Sequence, residues 1–318
     1  MKSVLITGAG GFIGRSLAAF LEPKKICVSA TVHKSPCELP GVLIVSECDV
    51  VQAACWNDKI FETDVIVHLA SLAHCLGKAT SQLSQEFDKV NAYGTAELVK
   101  KAIAHGVKHF IFVSSIGAMA TLSENALSET SICSPDTPYG KSKLKAEEAV
   151  KQLCKESSMT WTILRPSLVY GPRNPGNMYR LLKLIKKGLP LPLGGIENCR
   201  SLLYVGNLVE AIALCIDHPN ARNQIFLISD GEDLSTPSLI RKIAQKMGRS
   251  PFLISIPPSV LTRSAQLLGK QETVNRLIGS LSINSQKIKD ELNWKPSYTV
   301  DQGLQDTVDW FLQTSISQ

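Results

Sequence analysis

The chain has 318 residues, 44% of them hydrophobic, with a net charge of +6. That length buries a full core and allows one large domain or two lobes. Its positive charges are spread among acidic residues with no basic block. A general affinity for nucleic acid is therefore not indicated, though a local anion pocket is. No stretch is apolar for long enough to span a bilayer. Nine cysteines, with no C-x-x-C pair and no His/Cys cluster at zinc spacing, read as reduced thiols of a cytoplasmic protein without a bound metal.

The first predicted element is a short apolar strand, Val4, Leu5 and Ile6, which runs into Gly8, Gly11 and Gly14. An amphipathic helix follows, with Phe12, Ile13, Leu17 and Leu21 on its apolar side. Strand, glycine turn and helix in that order point to dinucleotide binding. The glycines let a pyrophosphate approach the backbone, and the helix N-terminus carries partial positive charge. Further strands are predicted at 26–32, 42–45, 64–69, 110–113 and 161–164. Helices are predicted at 51–61, 84–105 and 139–155, the second stopped by Gly106. A polar loop fills 121–138. Strands alternating with helices give an α/β class, a Rossmann doubly wound parallel sheet.

Beyond Arg165-Pro166 the pattern changes to short strands and helices punctuated by Pro and Gly. Helices are predicted near 179–187, 208–217, 237–247, 260–268, 285–292 and 300–312, with strands at 201–205 and 224–228. This is a smaller mixed α/β substrate lobe. The expected division is 1–166 plus about 201–217 for the dinucleotide domain, and 167–200 plus about 218–318 for the substrate lobe.

Tyr139 and Lys143 stand four apart on one predicted helix, hence on one face. An ammonium there favours a phenolate and would make Tyr139 a workable general acid or base. Ser115 lies just past the carboxyl end of a strand, the edge where ligands of open α/β sheets bind. Its hydroxyl could hold the substrate oxygen.

These residues, taken with others, resemble the extended short-chain dehydrogenase/reductases, in the nucleotide-sugar epimerase/dehydratase group. The matching stretches are Thr7-Gly8-x-x-Gly11-Phe12-Ile13-Gly14, Asp49-Val50, His68-Leu69-Ala70, Asn91-x-x-Gly94-Thr95 and Ser114-Ser115. Tyr139-x-x-x-Lys143, Arg165-Pro166 and Tyr170-Gly171-Pro172 complete the set. The resemblance implies catalytic roles for Ser115, Tyr139 and Lys143. It implies cofactor contacts for Gly8, Gly11, Phe12, Ile13 and Gly14, for Asp49 and Val50 against the adenine, and for Leu69, Ala70, Tyr139 and Lys143 near the nicotinamide. It places Ser115, Asn177, Met178 and Arg200 beside a nucleotide-diphosphate sugar, with Arg276 a further candidate. It also implies a homodimer through the helices at 84–105 and 139–155.

Two departures matter. Ala118-Met119-Ala120 replaces the family's usual Val-Tyr-Gly. No carboxylate follows the second strand until Glu38; His33 and Lys34 stand there instead. An acid at that place would repel a ribose 2′-phosphate, so its absence favours NADP and leaves NAD open. The stretches PLGGIENCRSLLYVGNLVEAI and ISDGEDLSTPSLI resemble reductases of UDP-4-keto-6-deoxy-N-acetylhexosamines. The expected activity is therefore oxidoreduction at C4 of a UDP-sugar, with 4-keto reduction ahead of UDP-hexose 4-epimerisation. A non-catalytic nucleotide sensor on this fold is the third reading, against which the presence of both Tyr139 and Lys143 argues.

Overall fold

The structure is a computed structural model that describes residues 2–24, 26–33, 39, 41–73, 80–267, 269 and 271–314. The first half runs β1 (Ser3–Thr7), α1 (Phe12–Leu21), β2 (Cys27–Val32), β3 (Val42–Glu47), β4 (Val65–His68), α2 (Thr80–Phe87), α3 (Gly94–Ala104), β5 (His109–Val113), α4 (Pro138–Lys155) and β6 (Thr160–Pro166). The second half runs β7 (Leu168–Tyr170), α5 (Asn177–Lys186), β8 (Arg200–Tyr204), α6 (Val205–Asp217), β9 (Gln224–Ile228), β10 (Asp233–Leu234), α7 (Thr236–Lys246), α8 (Pro258–Leu267), α9 (Gln271–Ile278), α10 (Gln286–Leu292) and α11 (Val300–Thr314).

A seven-stranded sheet has the order β3-β2-β1-β4-β5-β6-β9, every pairing parallel. Successive strand residues point to opposite faces. Val4 and Ile6 therefore join one core, which includes residues of α1 and α6, while Leu5 joins the other, which includes residues of α3 and α4. Both faces are thus covered, as the uninterrupted apolar strands require. The strand order reverses between β1 and β4, which opens a crevice beyond their carboxyl ends. Among the described residues no helix is long and apolar enough to cross a membrane.

A second sheet, β10-β8-β7, is mixed: β8 pairs antiparallel with β10 and parallel with β7. Residues 224–228, expected in the substrate lobe, form the last strand of the large sheet instead. Residues 200–204, expected with the large domain, pair in the small sheet, while α6 alone returns to pack on α1. Asp230, just past β9, holds the sheets together. It accepts from the Tyr204 backbone N–H, from Asn207 Nδ2 at 2.7 Å and from the Tyr170 hydroxyl at 3.1 Å.

Other differences have local causes. The predicted helix at 51–61 is two 3-10 turns, Val50–Cys55 and Asp58–Phe61. Asp49 caps the first by accepting from Val51 N, and Asn57 caps the second by accepting from Lys59 N. The predicted helix at 84–105 is α2 and α3 joined by a π-helical turn, Asp88–Tyr93. Gly94 follows that turn because Val50 lies against it: a Cβ there would meet Val50 Cγ1 and O at 3.2 Å. The polar loop at 121–138 is irregular but anchored, since Leu127 N donates to Ser282 O and Glu129 accepts from Leu227 N. Strands β7 and β10 and helix α9 were not foreseen.

Candidate active site

Gly8 ends β1 with φ +71°, and a Cβ there would meet Ala70 N at 2.7 Å. Gly8 is thus what lets the carboxyl ends of β1 and β4 come together at the switch point. Gly14 lies over the same turn, where a Cβ would meet Gly8 O at 2.5 Å and Ala9 Cα at 2.6 Å. Gly11 is the N-cap of α1 and is exposed, with only Gly8 O near its would-be Cβ. No side chain caps α1, so the backbone amides at Phe12 and Ile13 remain open to an anion. A bare glycine turn facing an uncapped helix fits a dinucleotide pyrophosphate. Gly14→Ala is expected to cost about 1–3 kcal/mol of stability through backbone overlap and to abolish dinucleotide uptake. Urea unfolding and NAD titration check both.

Tyr139 and Ser115 come together beyond the end of β5. Tyr139 lies in the first turn of α4. Its ring lies over the Ser115–Gly117 turn: a Cβ on Gly117 would stand 3.3 Å from Ser115 Oγ and 3.7 Å from Tyr139 Cδ1. Gly140 makes this approach possible, since a Cβ there would overlap the Gly117 carbonyl oxygen. Phe87 of α2 meets the Tyr139 ring edge-on at 5.9 Å.

Lys143 differs from expectation. Its Nζ donates to the Val113 carbonyl at 2.8 Å and stands 4.3 Å over the Phe112 ring, with 2% of the residue exposed. Burial pushes the Tyr139 phenol above its ordinary value, and only the Ser115 and Ser71 hydroxyls pull it back. The ammonium donates to the last carbonyl of β5. Burial draws Lys143 down to about 7, with Glu147 pulling it up. Its folded value is thus below its unfolded one, and the unfolded chain holds the extra proton between pH 7 and about 10. Stability is therefore expected to rise with pH across that window. Comparison of wild type with Lys143→Met in urea, at pH 7 and 9.5, checks this; the slope should flatten in the variant.

Behind Lys143 lies a buried ion pair. Arg165 Nε donates to Glu147 Oε1 at 3.0 Å and Nη2 to Oε2 at 2.5 Å, with Arg165 and Glu147 side chains 3% and 0% exposed. Ser114 Oγ donates to Glu147 Oε1 at 2.5 Å. Three elements, β5, α4 and β6, are thereby locked together directly beneath Ser115 and Lys143.

At the other end of the crevice, Asp49 accepts from Val51 N, and its second oxygen lies 4.0 Å from His33 Nε2. A carboxylate thus stands beside His33 after all, brought by β3 and not by β2. Val50 is buried in the core under Gly94. Lys34 lies outside the described residues. Leu69 N and Ala70 N donate to Thr7, which keeps them against the glycine turn. His68 is fully buried between Thr7 Oγ1 at 2.6 Å and Thr95 Oγ1 at 3.0 Å, and burial draws it down to about 3.

Of the substrate candidates, Arg200 and Arg276 come together. Arg200 Nη1 donates to the carbonyls of Arg276 and Gly279 at 2.6 and 2.9 Å. Burial pulls the Arg200 guanidinium below its ordinary value, and no carboxylate offsets it among the described residues. Asn177 is exposed at the first turn of α5. Met178 is 6% exposed and packed in the core, so its side chain offers a ligand little.

A model of the NAD dependent epimerase/dehydratase family matches residues 4–229. The chain belongs to that family. Among curated members it is 36% identical over 317 residues to a UDP-glucose 4-epimerase of Vibrio cholerae, which spans 99% of this chain and 97% of the relative. It is 29% identical over 259 residues to an Escherichia coli O157:H7 N-acetyl-alpha-D-glucosaminyl-diphospho-ditrans,octacis-undecaprenol 4-epimerase, covering 80% and 75% of the two chains. A Thermotoga maritima UDP-glucose 4-epimerase solved with UDP-glucose shares the fold, with TM-score 0.79 and 23% identity over 98% of this chain and 99% of that one. Within the family scaffold, residues that local pattern did not single out as functional are Ser71, Asn91, Glu147 and Arg165. Asn91 and Arg165 had appeared only as motif members, and no local pattern pairs Arg165 with Glu147.

Proposed function

We propose that this protein performs oxidoreduction at C4 of a UDP-linked hexose, with Tyr139 exchanging the hydroxyl proton. The observation that carries it is the meeting of Tyr139 and Ser115 beyond β5, next to an open glycine cradle. Bound at that cradle, a nicotinamide dinucleotide supplies or accepts the hydride. The cradle residues Gly8, Gly11, Phe12, Ile13 and Gly14, with Asp49, Val50, Leu69 and Ala70, hold it. Ser115 orients the sugar oxygen and Tyr139 gives or takes its proton. A phenol held above its ordinary value stays protonated at neutral pH and is ready as an acid. Arg200 and Arg276 grip the diphosphate, with Asn177 beside them. A half-buried guanidinium with no carboxylate partner among the described residues favours such an anion.

The finer reading turns on the cofactor. Missing acid after β2 favoured an exchanging NADPH and hence 4-keto reduction. Asp49 beside His33 weakens that argument, since a 2′-phosphate would meet a carboxylate there. Retained NAD and 4-epimerisation therefore come first, which agrees with the Vibrio relative. Reduction of a UDP-4-keto-6-deoxy-N-acetylhexosamine is the second reading, carried by the two stretches that resemble such reductases. NAD that stays with the purified protein, together with interconversion of UDP-galactose and UDP-glucose, supports epimerisation. An empty site that takes up NADPH and consumes the 4-keto sugar supports reduction. A homodimer through α3 and α4 belongs to the same proposal and is read from the mass in solution.

A further inference from the structure

We propose that the outer face of the substrate lobe, formed by α5, the segment 249–254 and α8, docks on an anionic lipid bilayer. The inference does not depend on which C4 reaction the site performs.

No long basic block occurs, yet the charge is unevenly placed. Residues 177–196 and 234–267 hold nine Lys and Arg and no Asp or Glu, so on a net charge of +6 the rest of the chain is acidic. The fold joins these two stretches. Leu191 N donates to Phe252 O at 2.8 Å, Ile254 N donates to Leu191 O at 2.9 Å, and Arg249 Nη1 donates to Lys186 O at 2.7 Å. Lys242 and Lys246 pair with Asp301 and so contribute less. Arg180, Lys183, Lys187, Arg249 and Arg263 are exposed.

Apolar side chains project among these charges. Phe252 is 58% exposed, while its neighbour Leu253 packs against the core; Leu184, Leu189 and Ile254 are exposed as well. Helix α8 has two faces. Leu261 and Ala265, four apart, turn inward. On the other side stand Val260, Arg263 and Leu267, at the spacing of a single helix face, with Val260 51% and Leu267 89% exposed.

Apolar surface grouped in this way marks an interaction site. The charge decides what covers it. A second copy would bring like charges together across the same face. A nucleic acid would neutralise the charges but leave Phe252, Val260 and Leu267 wet. A bilayer with anionic headgroups meets both requirements: its phosphates attract the basic groups, and the apolar tips enter the boundary between headgroups and acyl chains. The attachment is to the surface, since no described helix is long and apolar enough to cross a membrane. Helix α8 packs on α9, and the carbonyl of Arg276 on α9 accepts from Arg200 Nη1. Docking would thus hold the candidate substrate arginines close to the membrane.

Cosedimentation of the full chain with vesicles tests this. The probes are vesicles of phosphatidylcholine alone and of phosphatidylcholine mixed with phosphatidylglycerol, with circular dichroism as the check of fold. The wild type is expected to bind the anionic vesicles, to ignore the neutral ones and to come off as salt is raised. Each basic residue at an anionic surface is worth about fivefold, so Lys187→Glu with Arg249→Glu should weaken binding roughly twentyfold or more. Phe252→Ser with Leu267→Ser leaves the charge unchanged and should weaken binding about tenfold or more. Lys59→Glu with Lys155→Glu, at exposed lysines of the large domain, is expected to bind like the wild type. No binding to the anionic vesicles, or equal binding to both kinds, overturns the proposal. So does a loss in the Lys59 and Lys155 variant equal to that in the Lys187 and Arg249 variant, since net charge alone would then be at work. Undiminished binding by the Phe252 and Leu267 variant overturns it too. Failure on vesicles, together with a dimer mass that this last variant abolishes, would assign the face to a second copy instead.

Discussion

Tyr139→Phe is expected to lower turnover by roughly 10²–10⁴ while the protein stays folded. The variant removes one oxygen and keeps the ring. Packing against Phe87 at 5.9 Å and over the Ser115–Gly117 turn is retained. What is lost is the hydroxyl proposed to exchange a proton with the sugar oxygen. Steady-state kinetics beside a thermal melt separate the two effects. Turnover near the wild-type rate, in a protein that melts normally, would end the account of Tyr139 as acid and base.

Arg165→Met is expected to produce the largest loss of stability, about 3–5 kcal/mol. The cost does not measure the worth of the ion pair, because pairing has to repay the desolvation of two buried charges. It measures the Glu147 carboxylate left without its guanidinium in a site with no exposure. Ser114 alone cannot satisfy it. Replacing both partners, Arg165→Met with Glu147→Leu, should therefore recover most of the loss. Urea unfolding of the two single variants and the double one tests this, and additive losses would contradict it. Arg165→Met should also hold Lys143 more strongly charged, since Glu147 would then act on it unopposed.

Much of the fold was legible because its signals are local. Apolar β-branched runs, glycines at the β1–α1 turn and Gly106 at the end of α3 each act within a few residues. Gly106 has φ +73°, as a helix-ending glycine should. The candidate catalytic residues were proposed for a similar reason: four-residue spacing on α4 and a serine at a strand end. What escaped depends on partners far along the chain. Glu147 meets Arg165 only after β6 has returned to the sheet. Asp49 meets His33 only because β3 pairs with β2. Asn91 meets Ser71 and Leu72 because a π-helical turn, invisible in hydrophobic spacing, directs it at the loop after β4. The lysine was the instructive case. Spacing placed Lys143 near the phenol, but a free carbonyl at the end of β5 was a stronger attraction for a buried ammonium.

The chain passes from the large sheet to the small one after β6, back again after β8, and over once more after β9. Neither sheet can be excised by a single cut, because each depends on a segment that lies beyond the other in sequence. Asp230 sits at the last of these crossings and bonds to groups from both sides. The candidate substrate arginines and Tyr139 therefore belong to one cooperative unit: the halves should melt in one transition, and limited proteolysis should release no stable fragment of either half.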